Sequence, residues 1–498
     1  MTTRKTSEHT LPLTRPEQVV FEDLANICSS PGYIHAIAFL CFRDNMIRYS
    51  SELKPEDMRH MFSKDRLIRT ETSTLIGLLI KNQIECEIPI PSVLQQYIDE
   101  TETLLKEIHQ TMSVGFWDAL DVTKGGDKNS NPFNSGAVLR EPIFYGGESA
   151  YSFQYRDLSP KKYARDNDWL SANKGFSIEA ARNVVRGTGQ LLDQKSIATL
   201  QTMRELPPEQ WPFLPGNTFT AQEVAAFTKI NLSTIKNVLA AFALPEGERN
   251  SEFNALHDYN VANAFPLIPL GEDKYALFHI YSLAEALYES PFYWMGADKD
   301  YSSTAMKHRG TFTEEFAAEC LVRVFGKDNV HTNIDIFEAK GKRIGEIDVL
   351  VLFGNRVIVL QAKSKRLTLG ARRGNDGQIR DDFKKSIQDS CDQAYRCAVT
   401  LSDTRYTLKD GNSNEIAIPI SVKVTYVLCA ISDHYPALSF QARQFLDFKE
   451  TEGVSPPFVS LVLKCRLCAS LRDICLRYMT GCLAVIAGRN SQRASSSI

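Results

Sequence analysis

The chain of 498 residues has no apolar run long enough to cross a bilayer. Its longest runs, 34–42 and 75–80, fall far short of the ~20 residues that a membrane helix needs, so no membrane partner is expected. The opening Met1-Thr2-Thr3-Arg4-Lys5-Thr6-Ser7 lacks the apolar core of a secretory signal. Net charge is also scarce, since 57 Lys and Arg against 60 Asp and Glu leave −3. A chain-wide basic field is thereby excluded, and any contact with nucleic acid must come from a local patch. Several catalytic signatures are missing too. There is no Walker loop, no His-Glu-x-x-His and no Gly-x-Ser-x-Gly, which argues against a P-loop NTPase, a zincin or a serine hydrolase of the common kinds. His279 and His308 have no ligand partners at metal spacing.

Cysteine is thin until the end of the chain, where Cys465, Cys468, Cys475 and Cys482 supply four of the eleven. Cys465-x-x-Cys468 has no second pair at matching spacing and no His beside it, so it is a weak zinc signal. With its Ser-rich end, 458–498 is expected to be an atypical tail. Without a secretory signal, a reduced, cytoplasmic setting is expected.

A chain of this length is too long for a single core, and two to three domains are expected. Residues 1–120 read as a helical domain. The clearest pattern runs through Leu94, Ile98, Leu104, Leu105, Ile108 and Met112, an amphipathic stripe that belongs in a core. Residues 121–137, rich in Gly, Asn, Asp and Ser, are expected to form a linker or long loop. A mixed, mainly helical middle domain is expected over 138–300. It begins with short strands over 137–155 around Gly146-Gly147, and a strand pair lies within 264–281. Within it, 218–243 looks like a helix-turn-helix with Ser233 capping the second helix. Only Lys236 and Asn237 offer the side chains of a DNA-reading helix, so internal packing is the preferred reading there.

The segment 301–457 carries the chemistry. Gly345-Glu346-Ile347-Asp348-Val349-Leu350-Val351-Leu352 and Val357-Ile358-Val359-Leu360-Gln361-Ala362-Lys363 flank a Gly354-Asn355 turn, the pattern of a hairpin. Side chains alternate faces along a strand, so Glu346 shares a face with Asp348, and Gln361 with Lys363. An acid, an amide and a lysine at the ends of greasy strands are costly unless paired or metal-bound. A helix is expected over 314–325, capped by Thr311 or Thr313, then three strands, a helix over 379–401 and a strand over 421–430.

This arrangement resembles the PD-(D/E)XK nuclease superfamily, which places an acid on the second strand and acid-x-lysine on the third. Here the match is Asp348 followed by Gln361-Ala362-Lys363. Gln in place of Glu is similar to the variant of Mrr-type restriction endonucleases, and the nuclease-related domain is a looser relative. The resemblance covers about 308–430. It implies an α/β C-terminal domain of the restriction endonuclease-like kind, a mixed sheet flanked by helices, preceded by a mainly α-helical region. It also implies a Glu on the helix before the first strand; Glu315 is the choice, with Glu314 and Glu319 as alternatives.

The implied function is metal-dependent hydrolysis of DNA phosphodiesters, acting in restriction or defence against foreign or modified DNA. Asp348, Gln361 and Glu315 would hold Mg²⁺ or Mn²⁺, with Glu346 assisting, because hard cations take oxygen ligands. Lys363 would orient water or stabilise the phosphate. A neutral Gln361 lowers the site charge by one and favours a single ion. Downstream, Lys365, Arg366, Arg372, Arg373 and Arg380 lie in a Gly-containing stretch suited to gripping phosphates. In the following helix Gln393 is expected to face the site. Expected partners are DNA, mainly through its phosphates, RNA as a further substrate class, and a second copy of the chain in a homodimer. The alternative is a catalytically silent nuclease-like domain in a DNA-binding or interaction protein.

Overall fold

The computed structural model describes residues 15–45, 63, 65–120, 140–141, 144–145, 150–207, 210–271, 273–338, 341–364, 376–401, 403, 405–419, 422–431 and 446–461. The linker expected at 121–137, the basic positions Lys365, Arg366, Arg372 and Arg373, and the four clustered cysteines of the tail lie outside these residues.

In chain order the helices are α1 (Glu17–Cys28), α2 (Ile34–Asn45), α3 (Arg69–Leu79), α4 (Pro91–Leu120), α5 (Ser152–Lys162), α6 (Asn167–Lys174) and α7 (Ile178–Met203). They continue with α8 (Ala221–Thr228), α9 (Leu232–Phe242), α10 (Ile280–Ala297), α11 (Ser302–Phe325), α12 (Asp376–Phe383) and α13 (Asp389–Thr400). Contacts divide the chain into two compact units. One is drawn from 1–145 and 184–286, the other from 146–183 and 287–498.

In the first unit the expected stripe of α4 is realised. Ile98, Leu105, Ile108 and Met112 are buried with Val20, Phe21 and Leu24 of α1, Ile37 and Leu40 of α2, and Leu75 and Leu78 of α3. The buried Tyr33 hydroxyl satisfies itself on Thr101 Oγ1 at 2.7 Å. Further along, β1 (Thr218–Thr220), β2 (Ile268–Pro269) and β3 (Lys274–Ala276) form a three-stranded antiparallel sheet in the order β1-β3-β2. Helices α8 and α9 follow β1 directly. Thr220 caps α8 in a reciprocal box with Glu223, at 3.1 and 2.7 Å. The cap of α9 is Asn231, whose Oδ1 accepts from Ser233 N at 2.8 Å. Ser233 is therefore the capped donor rather than the cap.

In the second unit, the strands expected over 137–155 are not found at 150–155, where α5 already begins at Ser152. Gln154 folds back to accept from Tyr151 N at 2.8 Å and starts the helix. Gly146 and Gly147 lie outside the described residues. The mixed sheet runs β10-β9-β6-β5-β4-β7-β8. It is built from β4 (Val330–Glu338), β5 (Arg343–Phe353), β6 (Arg356–Lys363), β7 (Tyr406–Lys409), β8 (Glu415–Ile416), β9 (Val424–Ile431) and β10 (Phe458–Leu461). The β5–β6 hairpin turns at Gly354-Asn355 as its sequence predicts, with Gly354 at φ 59°.

Residues Val357 to Gln361 of β6 are buried without a break, as befits a central strand covered on both faces. β6 pairs parallel with β9, and the connection between them contains α12 and α13. α11 packs on β4, β5 and β6, and α13 on β5, β6 and β9. The helix before the first strand starts at Ser302, well ahead of the expected Thr311 or Thr313. Thr313 instead sits in mid-helix, with its hydroxyl on Arg309 O at 2.9 Å. The β7–β8 hairpin, which pairs with the edge of β4, was not anticipated.

Candidate functional site

The hairpin β5–β6 is in register from Phe353↔Arg356 to Val349↔Leu360 and pairs no further. Beyond that point β5 keeps its pairing with β4 as far as Phe337↔Arg343, while β6 follows β9 to Lys363↔Ile431. The two central strands therefore fork. Continued, the register would oppose Asp348 to Gln361 and Glu346 to Lys363, placing all four on one face.

Backbone groups left unpaired in the fork must find other partners, and the site residues provide them. Asp348 Oδ2 accepts from Ala362 N at 2.7 Å. Gln361 Nε2 donates to Glu346 O at 2.6 Å. On the other side of Asp348, the β4 register passes from Thr332↔Val349 to Ile334↔Ile347 and skips Asn333, which is left-handed at φ 53°. Asp348 thus sits where both neighbouring ladders are interrupted.

Asp348 is 9% exposed, and Gln361 is fully buried. Burial is the largest influence on the Asp348 carboxyl and pushes it up to about 6, with the Glu346 charge adding to the rise. The Ala362 N–H and the Lys363 ammonium oppose it. The oxygen of the same amide, Gln361 Oε1, is buried and accepts no hydrogen bond among the described residues. Buried polar atoms are rarely left so.

The three glutamates of α11 go to different places. Glu315 is half exposed and held bidentate by Arg165, at 2.6 and 3.0 Å. Glu319 pairs with Lys161 and with Arg323. Glu314 is the one that senses the fork. Burial and then the charges of Asp348 and Glu346 push its carboxyl up to about 7, against the pull of Lys363. Successive helical residues point ~100° apart, so Glu314 and Glu315 cannot share a target. Glu315, the expected residue, is engaged by Arg165, and Glu314, one of the alternatives, is the glutamate of α11 whose carboxyl responds to Asp348, Glu346 and Lys363. The signal was present: Glu314 stands three, four and seven residues before Ala317, Ala318 and Leu321, all buried.

Glu346 contributes its backbone rather than its carboxylate. The carboxylate pairs with Arg343 at 2.6 Å, and Arg343 also reaches Asp335 at 2.5 Å. Its carbonyl collects Gln361 Nε2, Gln393 Nε2 at 3.5 Å and Cys397 Sγ at 3.4 Å. Gln393 of α13 also approaches Lys363 Nζ through Oε1 at 3.4 Å. The amide thus tethers the lysine to the same carbonyl that orients Gln361. Arg380 is exposed on α12; the other basic positions of that stretch fall outside the described residues.

The donor set suits a hard divalent cation: one carboxylate from Asp348, the orphaned amide oxygen of Gln361, and a carboxylate from Glu314. Among the described residues no three His, Cys, Asp or Glu side chains converge into a metal cage.

Residues 309–428 match the family model described as the nuclease-related domain, which belongs to the PD-(D/E)XK-like nucleases. No curated protein and no solved structure matches the chain. Among the described residues no helix is long and apolar enough to cross a membrane.

Proposed function

We propose that the nuclease-related domain at 309–428 is an active, metal-dependent endonuclease that hydrolyses DNA phosphodiesters at the β5–β6 fork. The observation that carries this reading is the orphaned Gln361 Oε1, buried beside a raised Asp348 carboxyl and next to the tethered Lys363. A buried acceptor without a donor is explained by a cation that takes its lone pair. When bound, Mg²⁺ or Mn²⁺ supplies charge neutralisation at the phosphate and acidifies water.

The chain's own residues do the rest. Asp348 and Gln361 Oε1 would hold the ion, with Glu314 beside it as the acceptor of the proton of the attacking water. The new bond forms between water oxygen and phosphorus as the bond from phosphorus to the leaving oxygen breaks; the water proton passes to Glu314, and the leaving oxyanion takes a proton from solvent. Lys363 faces the charge that builds on the phosphate, and Gln393 positions it. Arg380 and the basic stretch before it grip the backbone without reading sequence.

Supercoiled plasmid incubated with the full chain and Mg²⁺ should become nicked or linear. Asp348→Asn should abolish cutting, and Lys363→Ala should slow it by about 10²–10³-fold, the cost of removing one transition-state donor. Glu314→Gln should be severely impaired while Glu315→Gln cuts normally. Variants at Asp348 and Lys363 that cut like the wild type would defeat the assignment. The absence of a three-acid cage among the described residues favours a second reading, a silent nuclease-like binding protein. Wild-type chain that cuts neither DNA nor RNA with either metal would establish it.

A further inference from the structure

The first unit contains a feature that the hydrolytic fork does not use. In the order α7, β1, α8, α9, β2, β3, with β1 against β3 and β3 against β2, the chain builds a helix-turn-helix carrying a β-hairpin wing. The residues between α9 and β2 do not disturb this. Leu244 N bonds to Leu267 O at 2.9 Å and Leu267 N to Phe242 O at 3.2 Å. These bonds pin the two ends of the excursion together, so the hairpin leaves from the end of α9.

The inner side of α9 is apolar: Ile235, Val238, Leu239 and Phe242 are buried. Its outer side presents Ser233, Lys236, Asn237 and Ala240, all exposed, with no acid and no bulky apolar side chain among them. Spacings of three, four and seven put these on one helical face. Exposed Lys229 stands in the turn before α9, and exposed Lys274 closes the turn at the tip of the wing. The acid facing this surface from the wing is Asp273, which pairs with Lys236 at 2.6 Å. Both partners are more than two-fifths exposed, and a pair of that kind is worth little and is readily exchanged for another anion.

We infer that α9 and its wing form a winged-helix surface that binds duplex DNA, with α9 entering the major groove and Lys229, Lys236 and Lys274 meeting phosphates. The occupant is duplex DNA on grounds of charge and shape. Three cations surround a slender face of small polar side chains, and a B-form major groove admits one α-helix. An apolar partner would need several bulky anchors, and the exposed side of α9 offers one, Leu232 at its first turn. The binding is a separate property from hydrolysis and stands if the fork proves silent.

The test uses the full chain with Asp348→Asn in excess EDTA, so that cleavage plays no part. Anisotropy of a labelled duplex is followed across a salt series. The double variant Lys236→Ala/Asn237→Ala should bind about tenfold or more weakly, and its salt slope should fall by about one. Asp273→Asn should bind more tightly, because it removes the anion that competes for Lys236. Lys106→Ala, on the exposed side of α4, should leave binding unchanged. Thermal unfolding confirms that each variant is folded. Unchanged affinity and slope in the double variant overturn the inference. Tighter binding of single-stranded DNA or of RNA through Lys236 and Asn237 overturns it too.

Discussion

Asp348 is expensive to ionise where it stands, and its neighbours explain both the expense and its use. In the unfolded chain the carboxyl titrates near its ordinary value of 3.8, whereas in the fold it is held at about 6. Between those values the folded protein keeps a proton that the unfolded chain has released. The group's stability contribution is therefore full below about pH 4 and is lost as pH rises through about 6. Asp348→Asn should accordingly stabilise the protein at pH 8 without added metal, by on the order of 2 kcal/mol. The gain should vanish near pH 4, as denaturant unfolding at the two pH values will show. Asn333 supplies a second test. Its φ of 53° suits Asn or Gly but is strained for other residues. Asn333→Val should lower stability by about 1–2 kcal/mol and slow cleavage, while Asn333→Gly retains both.

At the scale of elements, two close contacts set the geometry. In the helix-turn-helix, α7 reaches α8 at Gly187, where a Cβ would come within 2.1 Å of Thr228 Cγ2. The higher helix propensity of Ala, ~1 kcal/mol, cannot offset a clash against a β-branched side chain in a packed helix. Gly187→Ala should therefore cost about 1–3 kcal/mol, read from the unfolding midpoint, and weaken duplex binding by displacing α8. The other contact is the fork itself, where β5 stays with β4 and β6 with β9. The elements legible in sequence were those with strong periodicity or continuous apolar runs: α4, the β5–β6 hairpin and β9. The β7–β8 hairpin was missed although Asp410-Gly411 stands at its turn, because its strands are too short and too polar to show a period. The start of α5 was misread for a related reason: its cap comes from Gln154 two residues inside the helix rather than from a Ser, Thr, Asp or Asn before it.

For the molecule as a whole, the proposed hydrolysis at 309–428 and the inferred duplex binding within 184–286 fall in different units. Mg²⁺ that binds only the folded fork should stabilise the chain by RT ln(1 + [Mg²⁺]/Kd), about 2.7 kcal/mol at a hundredfold excess over Kd. EDTA should reverse the shift, and Asp348→Asn should abolish it, as thermal unfolding followed by fluorescence will show. Strand alternation and a Gly-Asn turn are local properties, so the sequence by itself determined the β5–β6 hairpin and the shared faces along its strands, and a resemblance to the PD-(D/E)XK nucleases marked the α/β domain around it. Only the tertiary structure separated the three glutamates of α11, leaving Glu315 with Arg165, Glu319 with Lys161, and Glu314 under the charges of Asp348 and Glu346. One residue along a helix turns a side chain by ~100°, and which direction points inward depends on where α11 lies on the sheet. Likewise the strand pair expected within 264–281 forms as β2–β3, but its attachment beside α9 rests on the pairing of β3 with β1, more than fifty residues away, a contact that no local pattern encodes.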